Sequence, residues 1–269
     1  MGVLNVTPDS FFDGGRYVEA EAARQRIDRL LTEGAAIIDV GAESSRPGAA
    51  PVPAAAQIDR LSPALNHAVT RGAMVSIDTT SPEVADYALR AGARIVNDVS
   101  CLADVALADV AVKHGATLVL MHARGSLGVM KGFSDYPDGA YGDVVSDVLR
   151  EWRAARDRAT ARGLTSADVW LDPGIGFAKN ARQSFELLGR LGELTREGVP
   201  VVVGPSRKSF IAAVDGAVAD ERLGGTIAAC LLAAERGARV LRVHDVAAVS
   251  QALGVARLAR NATLKESHA

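Results

Sequence analysis

Met74-Val75-Ser76-Ile77-Asp78, then Ser81-Pro82 opening a helical stretch to about residue 91, then Gly92-Ala93 and Arg94-Ile95-Val96-Asn97-Asp98: this span decides the fold. A short, continuously apolar and β-branched run reads as a strand buried on both faces. Ser81 followed by proline reads as a cap and a first-turn residue. The return to the next strand through Gly92-Ala93 is minimal. Both strands end on polar residues, Asp78 and the pair Asn97-Asp98.

The same grammar recurs along the chain. Gly2-Val3-Leu4 runs into Asn5, Ala36-Ile37-Ile38 into Asp39, and Thr117-Leu118-Val119-Leu120-Met121 into His122. Val169-Trp170-Leu171 runs into Asp172, and Val240-Leu241 into Arg242-Val243-His244-Asp245. Pro200-Val201-Val202-Val203 ends at Gly204 and leads into Pro205-Ser206-Arg207-Lys208-Ser209. Helical apolar spacing fills 17–33, 56–70, 104–114, 141–162, 180–194, 221–237 and 246–259. Eight alternations of strand and helix predict an α/β chain folded as a single (β/α)8 TIM barrel over 1–269, with an open doubly wound sheet as the alternative. In a closed barrel the strand carboxyl ends share one face, where active sites sit. The long connections 6–16, 41–53 and 122–140 all follow such ends, whereas Gly34-Ala35 and Gly92-Ala93 are short. One face is elaborated and the other is not.

Composition narrows the function. The 269 residues carry a net charge of -2, which gives no support to nonspecific binding of nucleic acid or membrane. No apolar stretch is long enough to span a bilayer, and no basic segment precedes a signal-type core. Cys101 and Cys230 form neither a CxxC motif nor a disulfide framework, so a reduced cytoplasmic setting is expected. The histidines and cysteines lack zinc spacing, and His67, His114 and His268 read as surface residues.

Two loops add chemistry. Asn5-Val6-Thr7-Pro8-Asp9-Ser10-Phe11-Phe12-Asp13-Gly14-Gly15 and Glu43-Ser44-Ser45-Arg46-Pro47-Gly48-Ala49 hold turn-forming residues, and Arg46 offers a bidentate donor for an oxyanion. Either alone reads as an exposed turn; together at one barrel mouth they read as a lid. With these loops, Ser76-Ile77-Asp78, Asn97-Asp98, Asp172-Pro173-Gly174-Ile175-Gly176-Phe177, Ser206-Arg207-Lys208-Ser209 and Arg242-Val243-His244-Asp245, the chain resembles the bacterial dihydropteroate synthase family over essentially its whole length.

That resemblance implies a transferase of folate biosynthesis. It joins p-aminobenzoate to a dihydropterin carrying a methylene diphosphate and releases pyrophosphate. The carried-over pterin contacts are Asp78, Asn97, Met121, Asp172, Phe177, Gly204, Lys208 and Arg242. Ser45, Arg46, Arg242 and His244 are implied for the diphosphate, and Phe11, Pro47, Ser209 and Lys208 for p-aminobenzoate. Asn5 is implied beside Mg2+, an ion that keeps waters and substrate phosphates and takes few protein ligands. Asp9, Arg46, Lys208 and Arg242 are the implied catalytic residues, with Asp9 stabilising a pterin methylene cation. The family also implies a homodimer and a sulfonamide target. Asp39 and Asp98 read as structural carboxylates.

The chain departs from the family pattern at Phe12, Ala42, Ser45, Ala178-Lys179-Asn180 and Gln183-Ser184. Three other readings stay open: a pterin methyltransferase domain on the same barrel, a Schiff-base lyase using Lys208, and a pterin-binding paralogue without turnover.

Overall fold

The computed structural model describes residues 1–6, 15–43, 52–125 and 136–266. The chain alternates β1 (Gly2–Asn5), α1 (Gly15–Thr32), β2 (Ile37–Gly41), α2 (Ala54–Thr70), β3 (Met74–Asp78), α3 (Pro82–Arg90), β4 (Ile95–Asp98) and α4 (Ala106–His114). It continues with β5 (Thr117–Met121), α5 (Val144–Ala161), β6 (Val169–Asp172), α6 (Ala181–Gly189), α7 (Leu191–Thr195), β7 (Val202–Val203), α8 (Ala212–Asp215), α9 (Leu223–Glu235), β8 (Val240–Leu241) and α10 (Val246–Glu266).

Strands β1 to β6 pair in sequence order, all parallel, and β7 pairs with β8. Single-residue bridges join the two sheets, Leu171 with Val201 and Gly2 with Val243. Leu171 N donates to Pro200 O at 3.0 Å, Val3 N to Val243 O at 3.1 Å, and Val243 N to Met1 O at 2.9 Å. The ring is thereby closed, and the fold is the expected (β/α)8 barrel rather than an open sheet.

Alternation along the strands divides the molecule. Residues two apart share a face, so Ile37 and Asp39 point the same way, as do Ile95 and Asn97, Val119 and Met121, Trp170 and Asp172, and Val240 and Arg242. The lower members form a small apolar cluster of Ile37, Ile95, Val119 and Val202, with Met1, Trp170 and Val240 against it. That cluster plugs the bottom of the barrel, and the upper members, polar apart from Met121, lie above it. The opposite strand faces, Ile38, Val40, Val75, Ile77, Val96, Leu118, Leu120 and Leu171 among them, join the helices in the main core. Burial on both faces explains why the strand runs are continuously apolar.

Ser81 caps α3, its side chain accepting from Val84 N, with Pro82 in the first turn. Three elements differ from the sequence expectation. The stretch 180–194 is two helices, because the backbone leaves helical geometry at Arg190 (φ -104°, ψ 18°), just after Gly189. A turn at Ser209–Ile211 and the four-residue α8 fill the space before α9. The last helix runs past 259 to Glu266. Among the described residues, no helix is long and apolar enough to cross a membrane.

Candidate active site

Asp39, Asp78, Asn97, Asp172 and Arg242 converge above the apolar plug. Arg242 follows β8 and extends across the lumen. Its Nε donates to Asp39 Oδ2 at 2.6 Å and its Nη2 to Asp78 Oδ2 at 2.7 Å. Asn97 Nδ2 donates to the same Asp39 oxygen at 3.3 Å. Strands β2, β3, β4 and β8 are thus tied through one guanidinium. Burial pushes the Asp78 carboxyl up to about 7, against the pull of Arg242.

Asp39 is the residue that sequence reasoning passed over. It is a barrel-core carboxylate, fully buried, but it belongs to this cluster, and its Oδ1 has no hydrogen-bond partner. A buried carboxylate oxygen without a partner is costly unless a water or ligand completes it. The only signal in the sequence was its place at the polar end of an apolar run. Asp98, by contrast, has the structural role expected of it. Both its oxygens cap the following turn, accepting from Ser100 N at 2.9 Å and from Leu102 N at 2.5 Å.

The opposite wall is built from β6 and β7. Asp172 Oδ1 accepts from Gly174 N at 2.7 Å, and burial raises the carboxyl above its ordinary range, with Lys208 opposing most strongly. Lys208 Nζ donates to Ile175 O at 2.5 Å and stands 4.4 Å from the centre of the Phe177 ring. Burial draws this lysine down to about 8, against the attraction of Asp172. Gly204 leaves the wall open: a Cβ there would stand 3.7 Å from Arg242 Cβ and 3.8 Å from Lys208 Nζ. Met121 and Phe177 meet Val99 in a small apolar cluster, separate from the main core, with Ala123 against it. An apolar patch beside a buried carboxylate and a lysine suits a flat heterocycle with polar edges.

Lys208 is aimed inward by its neighbour. Arg207 adopts the left-handed region (φ 57°), where side chains are strained. It is held there by Asp245, whose two oxygens accept from Nε at 2.9 Å and Nη2 at 2.7 Å, and by Asp220 at 2.7 Å. Its backbone N donates to Thr226 Oγ1 at 2.9 Å, and its carbonyl accepts from Arg222 at 2.9 Å. Ser206 Oγ lies 3.0 Å from His244 Nδ1 and accepts from His244 N at 3.2 Å. Burial, reinforced by Arg242 and Arg207, pulls His244 down to about 4. This histidine is a neutral hydrogen-bonding group at pH 7 rather than a balancing charge.

Asn5 ends β1, exposed, with its Oδ1 facing Gly41, where a Cβ would stand 3.5 Å from it. Among the described residues no group of three or more His, Cys, Asp or Glu could hold a metal ion. Asn5 Oδ1 is an oxygen donor of the kind that Mg2+ takes alongside waters and substrate phosphates. Ser209 opens the turn after Lys208. Asp9, Phe11, Phe12, Ser45, Arg46 and Pro47 lie outside the described residues. The described shoulder of the second loop is anchored, since Glu43 accepts from Val52 N at 3.0 Å and from Gln57 Nε2 at 3.3 Å.

The departures on the far side are locally satisfied. Ala178 occupies the left-handed region (φ 47°), which accounts for the glycine common there, and its carbonyl accepts from Tyr141 Oη at 2.8 Å. Asn180 and Gln183 form a reciprocal cap on α6. Ser184 Oγ accepts from Gly176 N at 3.2 Å and donates to Asn180 O at 2.8 Å. His67 and His114 are partly buried at the surface, paired with Asp28 at 3.0 Å and Asp86 at 2.8 Å.

Known proteins resemble this chain in sequence and fold. The family described as pterin binding enzyme matches residues 1–244. The dihydropteroate synthase of Mycobacterium leprae is 44% identical over 262 residues, which span 95% of this chain and 91% of the relative. The Xanthomonas albilineans dihydropteroate synthase, solved with 4-aminobenzoic acid, superposes with a TM-score of 0.89 at 40% identity, covering 97% of this chain and 92% of that one. The Yersinia pestis dihydropteroate synthase, solved with a sulfonamide drug, gives 0.88 at 36% identity, covering 97% and 94%. With its polar barrel mouth and these relatives over nearly its full length, the chain belongs to the pterin-binding enzymes, in the dihydropteroate synthase family.

Proposed function

We propose that the chain is a dihydropteroate synthase, condensing p-aminobenzoate with 6-hydroxymethyl-7,8-dihydropterin diphosphate and releasing pyrophosphate. The observation that carries this reading is the placing of Asp172 and Lys208 near Met121 and Phe177, facing the Arg242 cluster across one barrel mouth. A pterin presents adjacent N–H donors and a carbonyl on one edge. Asp172 accepts the donors through charge-assisted bonds, and Lys208 donates to the carbonyl and ring-nitrogen side. Asp78 and Asn97 take the other ring edge, Gly204 lets the ring approach the β7 wall, and Arg242 lies against its face. The Schiff-base reading is disfavoured because Lys208 Nζ is engaged as a donor to Ile175 O, in the Ser206-Arg207-Lys208-Ser209 setting suited to anion or pterin contact.

The chemistry asks for electrostatic stabilisation more than a strong base, since a neutral arylamine is already nucleophilic. Departure of pyrophosphate leaves a pterin methylene cation, which Asp9 stabilises until the amine captures it. Ser45, Arg46 and His244 hold the diphosphate. Phe11, Pro47, Lys208 and Ser209 shape the p-aminobenzoate site, where sulfonamides compete. Asn5 would hold Mg2+ through its side-chain oxygen, and the ion would supply charge neutralisation for the leaving group. The protein acts in the cytoplasm as a homodimer. Exposed apolar Leu232 on α9, with Val255 and Leu258 on α10, supports that assembly.

The test is to mix protein, dihydropterin diphosphate, p-aminobenzoate and magnesium, and to measure pyrophosphate and dihydropteroate together. Equal yields that require p-aminobenzoate and stop when a chelator removes magnesium are expected. Pterin binding without turnover would instead identify a binding paralogue.

A further inference from the structure

Lys179 is fully buried, an unusual place for a lysine. No carboxylate among the described residues lies within ion-pair distance of it. Its Nζ stands 2.9 Å from His122 Nδ1, donates to Phe177 O at 2.9 Å, and lies 3.5 Å from His122 O. His122 is equally buried, and its Nε2 lies 2.9 Å from Glu151 Oε2. Glu151 in turn is gripped by Arg124 through both oxygens. An ammonium donating to Nδ1 fixes the tautomer in which Nε2–H donates to Glu151. The chain of contacts therefore runs from a half-exposed carboxylate on α5 to a buried cation.

That cation lies directly behind the turn carrying the candidate pterin carboxylate. His122 N donates to Asp172 O at 2.8 Å. Gly174 is pressed onto His122 so closely that a Cβ would stand 2.1 Å from His122 O and 3.3 Å from Lys179 Nζ. Lys179 also holds the carbonyl of Phe177, whose ring lines the same pocket. Nothing in the proposed reaction uses the lysine, His122 or Glu151.

We propose that Lys179 is a positioning residue for pterin recognition: its ammonium keeps the Asp172 carboxylate ionised from behind and fixes, through Phe177 O and His122, the turn that presents it. This rests on the pterin reading above. The charged and titratable groups facing Lys179 are Asp172, Lys208, Cys101, Arg124, His122 and Tyr141; Asp172 is the strongest charge acting on Lys179, whereas on Asp172 itself Lys208 and Arg242 act more strongly than Lys179. Burial draws Lys179 down to about 7, against that partner. In acid, where Asp172 would take up a proton, Lys179 is fully charged, so its effect on Asp172 is strongest there.

The experiment measures binding of 6-hydroxymethylpterin, which cannot react, from about pH 5 to about pH 8, with unfolding midpoints recorded alongside. Wild type is compared with Lys179→Met and with Lys179→Gln, which keeps length and hydrogen-bond donors without the charge. The expected result is that the pH below which binding is lost rises in both variants by up to about one unit, the low end of what a nearby opposite charge does to a carboxylate, because Lys208, the Gly174 N–H and Arg242 act on Asp172 more strongly and remain. On that slope binding is weaker by up to about tenfold, whereas at about pH 8 it stays within about threefold of wild type. If Lys179→Met does not fold, Lys179→Gln alone decides. An acid limb unmoved in Lys179→Gln overturns the proposal while leaving the pterin reading intact. Wild type that fails to bind the pterin at every pH overturns both.

Discussion

Asp39→Asn separates the work of a buried charge on stability from its work on geometry. In the native chain Asp39 Oδ2 accepts from Arg242 Nε at 2.6 Å, and Oδ1 is buried with no partner. Neutralising it weakens a charge-assisted hydrogen bond worth about 1.5–3 kcal/mol. It also exchanges an unpartnered buried carboxylate oxygen for an unpartnered but neutral amide NH2, and so trades a charged desolvation penalty for a smaller one, a relief of about 1–3 kcal/mol. The two nearly offset, so the unfolding free energy should change by no more than about 1 kcal/mol, or roughly 2–4 °C in Tm for a chain of this size.

Geometry has no such compensation. Arg242 keeps Asp78, at 2.7 Å, but at position 39 it meets only a weaker, uncharged acceptor, and a guanidinium held firmly at one corner swings. A displacement of about 1 Å in a group that positions substrate costs about 100-fold in rate. We expect kcat/KM for dihydropteroate formation to fall roughly 30- to 100-fold while Tm stays near that of wild type. Both are read on one preparation, by product formation at saturating p-aminobenzoate and by thermal unfolding. Activity within about threefold of wild type would refute the idea that Asp39 aims Arg242. A Tm lower by about 10 °C or more would show that the carboxylate mainly holds the barrel together.

Lys208 must be charged to donate to a pterin, and burial draws it down to about 8. Function is therefore complete below about pH 8 and lost as pH rises through it, so kcat/KM, which reports the free enzyme, should fall on that limb. Lys208→Arg should remove the limb while lowering the plateau, because the chain passes Gly176 too closely for a bulkier head (Cδ lies 3.2 Å from a Cβ built there). An alkaline limb unchanged in the arginine variant would sink this assignment. Gly174→Ala puts a Cβ 2.1 Å from His122 O at a residue with φ 65°. Overpacking and left-handed strain together should cost about 3 kcal/mol or more, read as a drop in Tm of about 6 °C or more. A Tm within about 2 °C of wild type would contradict the close approach.

The barrel was legible because its strands are buried on both faces. Val75, Ile77 and Val96 have no solvent side, so each run is apolar throughout and stops abruptly at the mouth. Asp78, Asn97 and Asp172 stand out at those stops for the same reason. Asp39 stands at one too, yet a lone buried aspartate reads equally well as a cap, and only its contact with Arg242, 203 residues away, distinguishes the two. Lys179 was harder still. Its sequence neighbourhood places it on a loop, and nothing local shows that the loop folds inward against His122. Helix α8 is a single turn, too short for any periodic pattern to register. The break between α6 and α7 follows from backbone geometry at Arg190, with apolar spacing continuing across it through Leu187, Leu188, Leu191 and Leu194.

The mouth also reassigns the burden of charge. Three carboxylates, Asp39, Asp78 and Asp172, face two cations, Arg242 and Lys208, with Lys179 behind the wall. Arg242 is already shared between two aspartates, and burial draws His244 down to about 4, so little positive charge stands ready on this wall before a diphosphate arrives. Delivering a multiply charged anion to such a site requires compensation from elsewhere, because unbalanced charge in a dehydrated pocket is expensive. In the proposed reaction that compensation falls to Arg46 and to magnesium arriving on the substrate, and Arg242 serves chiefly as a planar surface for the pterin. On that reading the barrel supplies shape and ring recognition, and the charge that assists departure of the leaving group would come from Arg46 and the metal.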